Sequence, residues 1–493
     1  MSATADSTPA AAAKSPKKIF GVVGLAIFTF SFLANVNATP ELATFGLGSI
    51  ALLLGAVIFF LMPTAMASAE MGSTWPRTGG IYVWTRLAFG EAAAFMIIWL
   101  EFANFLVAWP NLMGTMTIQA AYPIDPKLAN QNTFVMASAM IATWAAALLA
   151  LRGLRVAKGF AWWSVLGGTI LPMLLLTGFA LAYLRAGHAW ATPVGTEQLV
   201  PHISGGNIAY LSTALLMFSG IEISAIHSGD VQNPGRTIPR SNGIAVVLCL
   251  VFFIPLALAI SLAVPAGKID IVTGLIQAGE VMFDSFHMSW VTGVLTFLLV
   301  SGLVASLVQI LGGPARGLAV AGRVGGNLPP TLQRENSQRM PVVLILGQAV
   351  ISSVLCIGYQ LLGSVQNAWF IFQVVQTNMT LIMYLMMFAA VVKLRFSSPD
   401  TPRPYRIPGK WFGLFGIVSL GVIVCLVGLI ISLMPTVNAN GMDPIEYWAV
   451  VGVGTVAFSA VPFLFWIFRK PSWRTEHEGD VEELGDDPEA VTA

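Results

Sequence analysis

Twelve stretches of roughly twenty apolar residues, joined by short polar segments, limit what this chain can fold into. They are centred in 20–46, 48–72, 91–120, 133–151, 160–184, 206–229, 242–264, 289–320, 341–358, 368–394, 412–434 and 447–468. In hydrocarbon every backbone N–H and C=O must be satisfied within the protein, which leaves helices or a closed barrel. Runs of this length and apolarity suit helices. Charged residues are 10% of the chain, against about 25% in soluble domains. The expectation is therefore an all-α membrane protein with twelve transmembrane helices, in contact with membrane lipid. The net charge of +1 offers no basic face to nucleic acid, so no such partner is expected.

Lys and Arg set the orientation. With an even number of spans, all but three of the 25 basic residues fall on the side holding both termini. The exceptions are Lys127, Arg185 and Lys268. Both termini are expected in the cytoplasm, with the chain in a bacterial-type inner membrane. Residues 1–18 read as a disordered cytoplasmic tail without a signal-peptide cleavage pattern, and the first apolar run as a retained helix. Residues 19–470 read as one transporter domain, and 471–493 as an acidic cytoplasmic tail whose Glu476–Glu489 stretch lacks Lys and Arg. Residues 265–287 form an outer loop with a short apolar pattern of its own, suggestive of a lid helix. Cys249, Cys356 and Cys425 each sit alone in an apolar run, which predicts buried thiols and no metal site.

Two spans are interrupted in corresponding places. In span one, Leu33 to Pro40 reads LANVNATP, putting two Asn and a Pro at mid-membrane depth; in span six, Phe218 to Glu222 reads FSGIE. Gly leaves helical angles cheaply, and Pro removes a helix donor. Breaks five helices apart predict two inverted five-helix repeats with a site between them. The repeats would occupy about 19–186 and 204–396, with helices eleven and twelve at about 411–470 as additions.

The candidate site follows from the breaks. Leu33, Ala34, Asn35, Val36 and Asn37 would bind one end of a substrate through freed backbone groups; the plainer alternative is an Asn pair bonded to neighbouring helices. Ser219, Gly220 and Ile221 would present N–H groups at a helix start, where roughly half a positive charge favours an anion; otherwise Gly220 is a packing residue. Glu222 has two readings. Burial makes its charge costly, which suits proton exchange, while its place in a first helical turn suits a structural lock. His227 reads as a polar helix-end residue, and less readily as a proton sensor. Glu101 and Asn104 share a face of span three, pointing into the cavity or holding the bundle. Ser306 and Gln309 repeat that spacing on span eight. Tyr384 and Phe388 form an aromatic face on span ten, a packing pair or a gate. Arg236 and Arg240 are topology signals or members of an inner gate.

Four motifs in this order resemble the amino acid–polyamine–organocation superfamily. They are SAEMGSTWPRTGGIYVW from Ser68, GIEISAIHSGDVQNPGRTIP from Gly220, GPARGLAVAGRVGGNLPP from Gly313 and RPYRIPG from Arg403. The resemblance spans nearly all of 20–470. It is closest to the glutamate/GABA antiporter family, through Ala-Thr-Pro in span one, the His of EISAIH, and NPGR followed by Pro. It implies a LeuT-like fold of two inverted five-helix repeats plus two helices, working by alternating access. It further implies exchange of an amino acid against its decarboxylation product. By position, Leu216 falls on the family's gating side chain. Ser306 stands where the glutamate-specific member has an acid, and Tyr384 and Phe388 where it has two tyrosines. Asn37 also replaces a tyrosine, and the His-bearing C-terminal plug is lacking. A neutral substrate is therefore expected rather than glutamate or a diamine.

The expected function is a secondary transporter exchanging an amino acid against a related amino acid or its decarboxylated amine. Proton-coupled uptake is the alternative. No HExxH, paired His, Gly-x-Ser-x-Gly or phosphate loop occurs, so enzymatic activity and a cofactor are not expected. A transporter-like sensor would need an output domain, for which only the short acidic tail is at hand. Sodium dependence and a homodimeric assembly are left open by the sequence.

Overall fold

The computed structural model describes residues 21–33, 35–77, 79–152, 162–204, 207–226, 228, 231–310, 313–435 and 442–475. The two expected tails, 1–18 and most of 471–493, lie outside the described residues. Among the described residues every regular element is a helix and there is no strand.

The first apolar stretch forms α1 (Val22–Leu33), a tight turn at Val36–Ala38 and α2 (Thr39–Ala43), bent by 42°. Then come α3 (Gly48–Thr74), α4 (Ile81–Phe89), α5 (Glu91–Ala121), α6 (Asn132–Ala150) and α7 (Trp162–Arg185). Two short helices follow, α8 (Tyr210–Met217) and α9 (Ile223–Ile226). The rest comprises α10 (Pro234–Ala263), α11 (Gly274–Ser285), α12 (Trp290–Ile310), α13 (Gly313–Gly325), α14 (Val342–Leu361), α15 (Val365–Ser397), α16 (Lys410–Ser432) and α17 (Pro444–Phe468).

Ten of these helices are long and apolar enough to cross a bilayer, and eleven crossings result if the bent α1–α2 pair is one of them. The sixth apolar stretch coincides with α8 and α9, which are each too short to span alone. Two expected loops hold helices: α4 follows the second span, and α11 lies within 265–287. That second helix packs inward, with Gly274 against Pro40 of α2.

The longest helices, α5 and α15, are also the most enclosed. In their apolar stretches 67% and 61% of residues are buried, against 11% for α17, which therefore lies at the rim. Pro110 sits inside α5 and cannot donate to Leu106. The freed Leu106 carbonyl accepts instead from Ser352 Oγ of α14 at 3.0 Å, and the Pro110 carbonyl accepts from Tyr359 Oη at 2.9 Å. The carbonyl that the proline frees is thus satisfied from a neighbouring helix, as hydrocarbon demands. Near the C-terminal end of α3, Glu70 is buried and paired with Arg395 of α15 at 2.5 Å. Glu70 also accepts from the Ile407 N–H at 2.7 Å.

Small residues set the closest approach between helices, as in other membrane bundles. Gly168 of α7 and Gly302 of α12 lie backbone to backbone, and a Cβ on either would strike the other's Cα. Gly302→Leu is expected to cost about 1–3 kcal/mol through overpacking, read as a lowered thermal midpoint in detergent. Gly347→Leu, with open space at its Cβ, is the control and should leave the midpoint in place.

Candidate functional site

The second break is built around Gly220. Its φ of +109° is a conformation side-chain-bearing residues rarely adopt. Just before it α8 closes on itself, with Ser219 N–H and Ser219 Oγ both donating to the Leu216 carbonyl, at 3.1 and 2.7 Å. Gly220 N–H, freed by the break, donates to Tyr384 Oη at 2.7 Å. The Tyr384 hydroxyl in turn donates to Glu222 Oε2 at 2.7 Å. One side chain from α15 thus caps the open backbone and engages the acid two residues on. The first break runs through Asn35, whose N–H donates to the Leu33 carbonyl at 2.9 Å. Its own carbonyl accepts from Ala38 N–H at 3.2 Å.

Between the breaks lies a cavity of about 280 Å³, close to the lower end of the size range of small-molecule sites. The first break contributes Asn35, Val36 and Asn37, and the second Leu216, Ser219, Gly220 and Glu222. Glu101 and Asn104 come from α5 and Ser306 from α12. These ten of the residues singled out in the sequence share one chamber.

Several others do not border it. Leu33 and Ile221 are fully buried in the surrounding core. Tyr384 stands behind the wall and acts through Gly220 and Glu222, while its ring meets Phe60 edge-on at 5.3 Å. Phe388 packs against Gly421 of α16, so the expected aromatic gate face is not a cavity face. The reason is helical phase. The face of α15 towards the chamber carries Gln376, Thr380 and Met383, spaced i, i+4, i+7, and Tyr384 and Phe388 lie further round. Ala34, His227 and the Gln309 side chain lie outside the described residues.

Most polar lining groups already have protein partners. Asn104 Nδ2 donates to Thr380 Oγ1 at 2.7 Å and to the Gln376 carbonyl at 3.0 Å, while its Oδ1 accepts from Gln376 Nε2 at 3.2 Å. Asn37 Oδ1 accepts from Gln119 Nε2 at 2.7 Å. Ser306 Oγ lies 2.6 Å from Ser164 Oγ of α7. Glu101 is different: it faces the chamber without a hydrogen-bond partner among the described residues, near enough to Glu222 for their charges to interact. Among the described residues no Lys, Arg or His belongs to the cavity wall.

Sequence reading missed the polar wall residues Gln376, Thr380, Ser164 and Thr169, and the buried Glu41 of α2. Glu41 is a further buried carboxyl besides the chamber's Glu101 and Glu222. The spacing of Gln376 and Thr380 was a usable signal, as was the acid directly after Pro40.

An amino acid permease family model matches residues 17–458. The chain belongs to the amino acid permease family. It is 30% identical over 452 residues to an uncharacterized transporter of Legionella pneumophila, covering 91% of this chain and 97% of that one. It is 24% identical to the glutamate/gamma-aminobutyrate antiporter of Lactococcus lactis strain IL1403, over 91% of this chain and 90% of the relative. With the branched-chain amino acid permease BcaP of Bacillus subtilis it shares 23% identity, over 84% and 89%. The protein is thus an integral membrane transporter for amino acids or related amines, not an enzyme.

The bridge at Tyr384 makes a testable demand. Tyr384→Phe keeps the ring but strips a partner from Gly220 N–H and from Glu222. An unmade buried hydrogen bond costs about 1–3 kcal/mol, so the permease should lose stability of that order in detergent, measured by thermal unfolding. An unchanged midpoint would show that the bridge contributes nothing.

Proposed function

We propose that this permease is a secondary carrier that exchanges an amino acid against a related amino acid or its decarboxylated amine by alternating access. The observation behind the reading is the chamber itself, walled by two broken helices that face each other across it. In this reading α8 and α9 form the sixth of twelve crossings. The chain is two inverted five-helix repeats, with α16 and α17 added, in a bacterial-type inner membrane with both termini inside.

The substrate's ammonium lies towards Glu101 and Glu222, since the wall offers these carboxyls and, among the described residues, no cation. An amino acid's carboxylate competes with the Tyr384 hydroxyl for Gly220 N–H. The decarboxylated amine has no carboxylate and leaves that bond in place. The two partners of the exchange would thus differ at the one group the second break is built to contact. A second carboxylate, as in glutamate, meets two acids and no counter-charge, which disfavours it.

The cavity wall supports a form closed to the outside. Ser31 and Phe32 of α1, Ser164 and Gly168 of α7 and Leu303 and Ser306 of α12 lie towards the face assigned to the cytoplasm. On the opposite side Gln119 bridges Asn37 and the Val272 carbonyl, and α11 covers Pro40.

Counterflow in proteoliposomes tests the exchange. Vesicles preloaded with an unlabelled amino acid or amine should take up labelled substrate at least about tenfold faster than empty ones, a coupling of about 1.4 kcal/mol. Glu101→Gln should weaken uptake of the amine by a similar factor through loss of a charge partner. Equal uptake into empty vesicles driven by a proton gradient alone would replace exchange with proton symport, a reading the acids of the wall favour.

A further inference from the structure

Glu41 lies in the outer half of the first broken helix, fully buried, and does not border the substrate cavity. It stands where three segments meet. Its Oε2 is 2.5 Å from Thr213 Oγ1 of α8, and its Oε1 accepts from Gln373 Nε2 of α15 at 3.1 Å. The outer halves of both broken helices are thus joined to one long helix through a single carboxyl group.

No ion pair involves Glu41 among the described residues. Of the helices packed around it, α8 brings Tyr210, whose electrostatic neighbours include Glu41 and Asp270. From α10 comes Ser261, bonded to the Ala43 carbonyl at 3.0 Å; from α11 comes Gly274 against Pro40. Glu280 and Asp284 of α11 and Asp270 before it are acids; Lys268, two residues before Asp270, is exposed, and Lys393 and Arg395 lie near the far end of α15. Glu70 of α3 and Arg236 and Arg240 of α10 sit near the far ends of those helices, about 30 Å away along the axis at 1.5 Å per residue.

The hydrogen bonds can be counted in protons. A threonine hydroxyl has one proton to give, and Thr213 Oγ1 has two acceptors in reach. These are the Tyr210 carbonyl at 3.1 Å, in its own helix, and Glu41 Oε2. Both contacts are satisfied together when Thr213 donates to the carbonyl and Glu41 donates to Thr213. That requires a proton on Glu41. An ionised carboxylate, which only accepts, would set the two acceptors in competition in a dry site with no counter-ion, where a bare charge is very costly.

We propose that Glu41 is a proton-binding site that carries its proton while the outer halves of the two broken helices are closed onto α15. When those halves part, water enters, the Glu41 O–H bond breaks and the proton passes to that water, leaving a solvated carboxylate. Re-closure takes a proton back. The site is separate from Glu222, which meets the substrate chamber. Its part in the transport cycle rests on the alternating-access reading above; its protonation does not.

Infrared spectroscopy of the purified permease in lipid tests it independently of any substrate. The wild type should show the C=O stretch of a protonated buried carboxylic acid, and Glu41→Gln should lose that band. If Glu41→Gln fails to fold, Thr213→Val, which removes the acceptor and keeps the acid, should shift the band to the frequency of a non-hydrogen-bonded acid or abolish it. A spectrum unaltered by the folded variant overturns the proposal. In proteoliposomes, exchange should fall about tenfold per pH unit once the outer pH rises through the range in which Glu41 ionises. Glu41→Gln, permanently neutral, should remove that fall. An identical alkaline fall in variant and wild type contradicts a role for this proton. A band at Glu41 without exchange of any amino acid or amine would leave the proton site standing and remove the exchanger reading.

Discussion

The structure depends on a rule of the bilayer: polar backbone freed from a helix must find a partner inside the protein. At Gly220 that partner is the Tyr384 hydroxyl, 2.7 Å from the open N–H. The same hydroxyl holds Glu222. Without it, the break would leave the Gly220 donor without this partner and Glu222 with one hydrogen bond fewer, where water is scarce. With it, α8 and α9 can point away from a continuous helix and leave room for a chamber. Pro110 obeys the same rule by a different means, since Ser352 takes the carbonyl that proline frees.

One helix recurs in this economy of hydrogen bonds. From α15, Gln373 reaches Glu41, Gln376 and Thr380 hold Asn104, Tyr384 holds the second break, and Arg395 pairs with Glu70. Those contacts run along the helix from one membrane face towards the other. A rigid element that touches both broken helices at separate depths can hold one half of the machine while the other moves. The bonds it makes at the two depths differ in kind. Gln373 meets a carboxyl remote from the chamber, whereas Tyr384 meets one that borders it.

The fold class and the two breaks were legible because they are written in composition and in single residues. Long apolar runs admit few structures, and Asn35, Pro40 and Gly220 are conspicuous at mid-membrane. Seven of the chamber's wall residues, Asn35, Val36, Asn37, Leu216, Ser219, Gly220 and Glu222, followed from the breaks. Side-chain partners were less readable. The spacing of Tyr384 and Phe388 correctly puts them on one stripe of α15, yet only the packed helix shows which stripe meets the cavity. Asn104 was named as a cavity residue or a brace, and it borders the cavity while being held by Thr380 and Gln376. Glu41 escaped notice because Pro40 drew attention to the backbone, while its partners Thr213 and Gln373 are distant in sequence.

A carrier of this design requires both breaks to line one substrate chamber. Cys249, Cys356 and Cys425 are buried, so each can be replaced by Ala to leave a cysteine-free background. Asn35→Cys and Ser219→Cys, made singly there, place a thiol on opposite walls. The measurement is the rate at which a small water-soluble alkylating reagent modifies each, with and without a panel of amino acids and their decarboxylated amines. The same compound should slow labelling at both positions. Labelling that no compound slows, or that is slowed at only one of the two, would contradict a shared site between the broken helices.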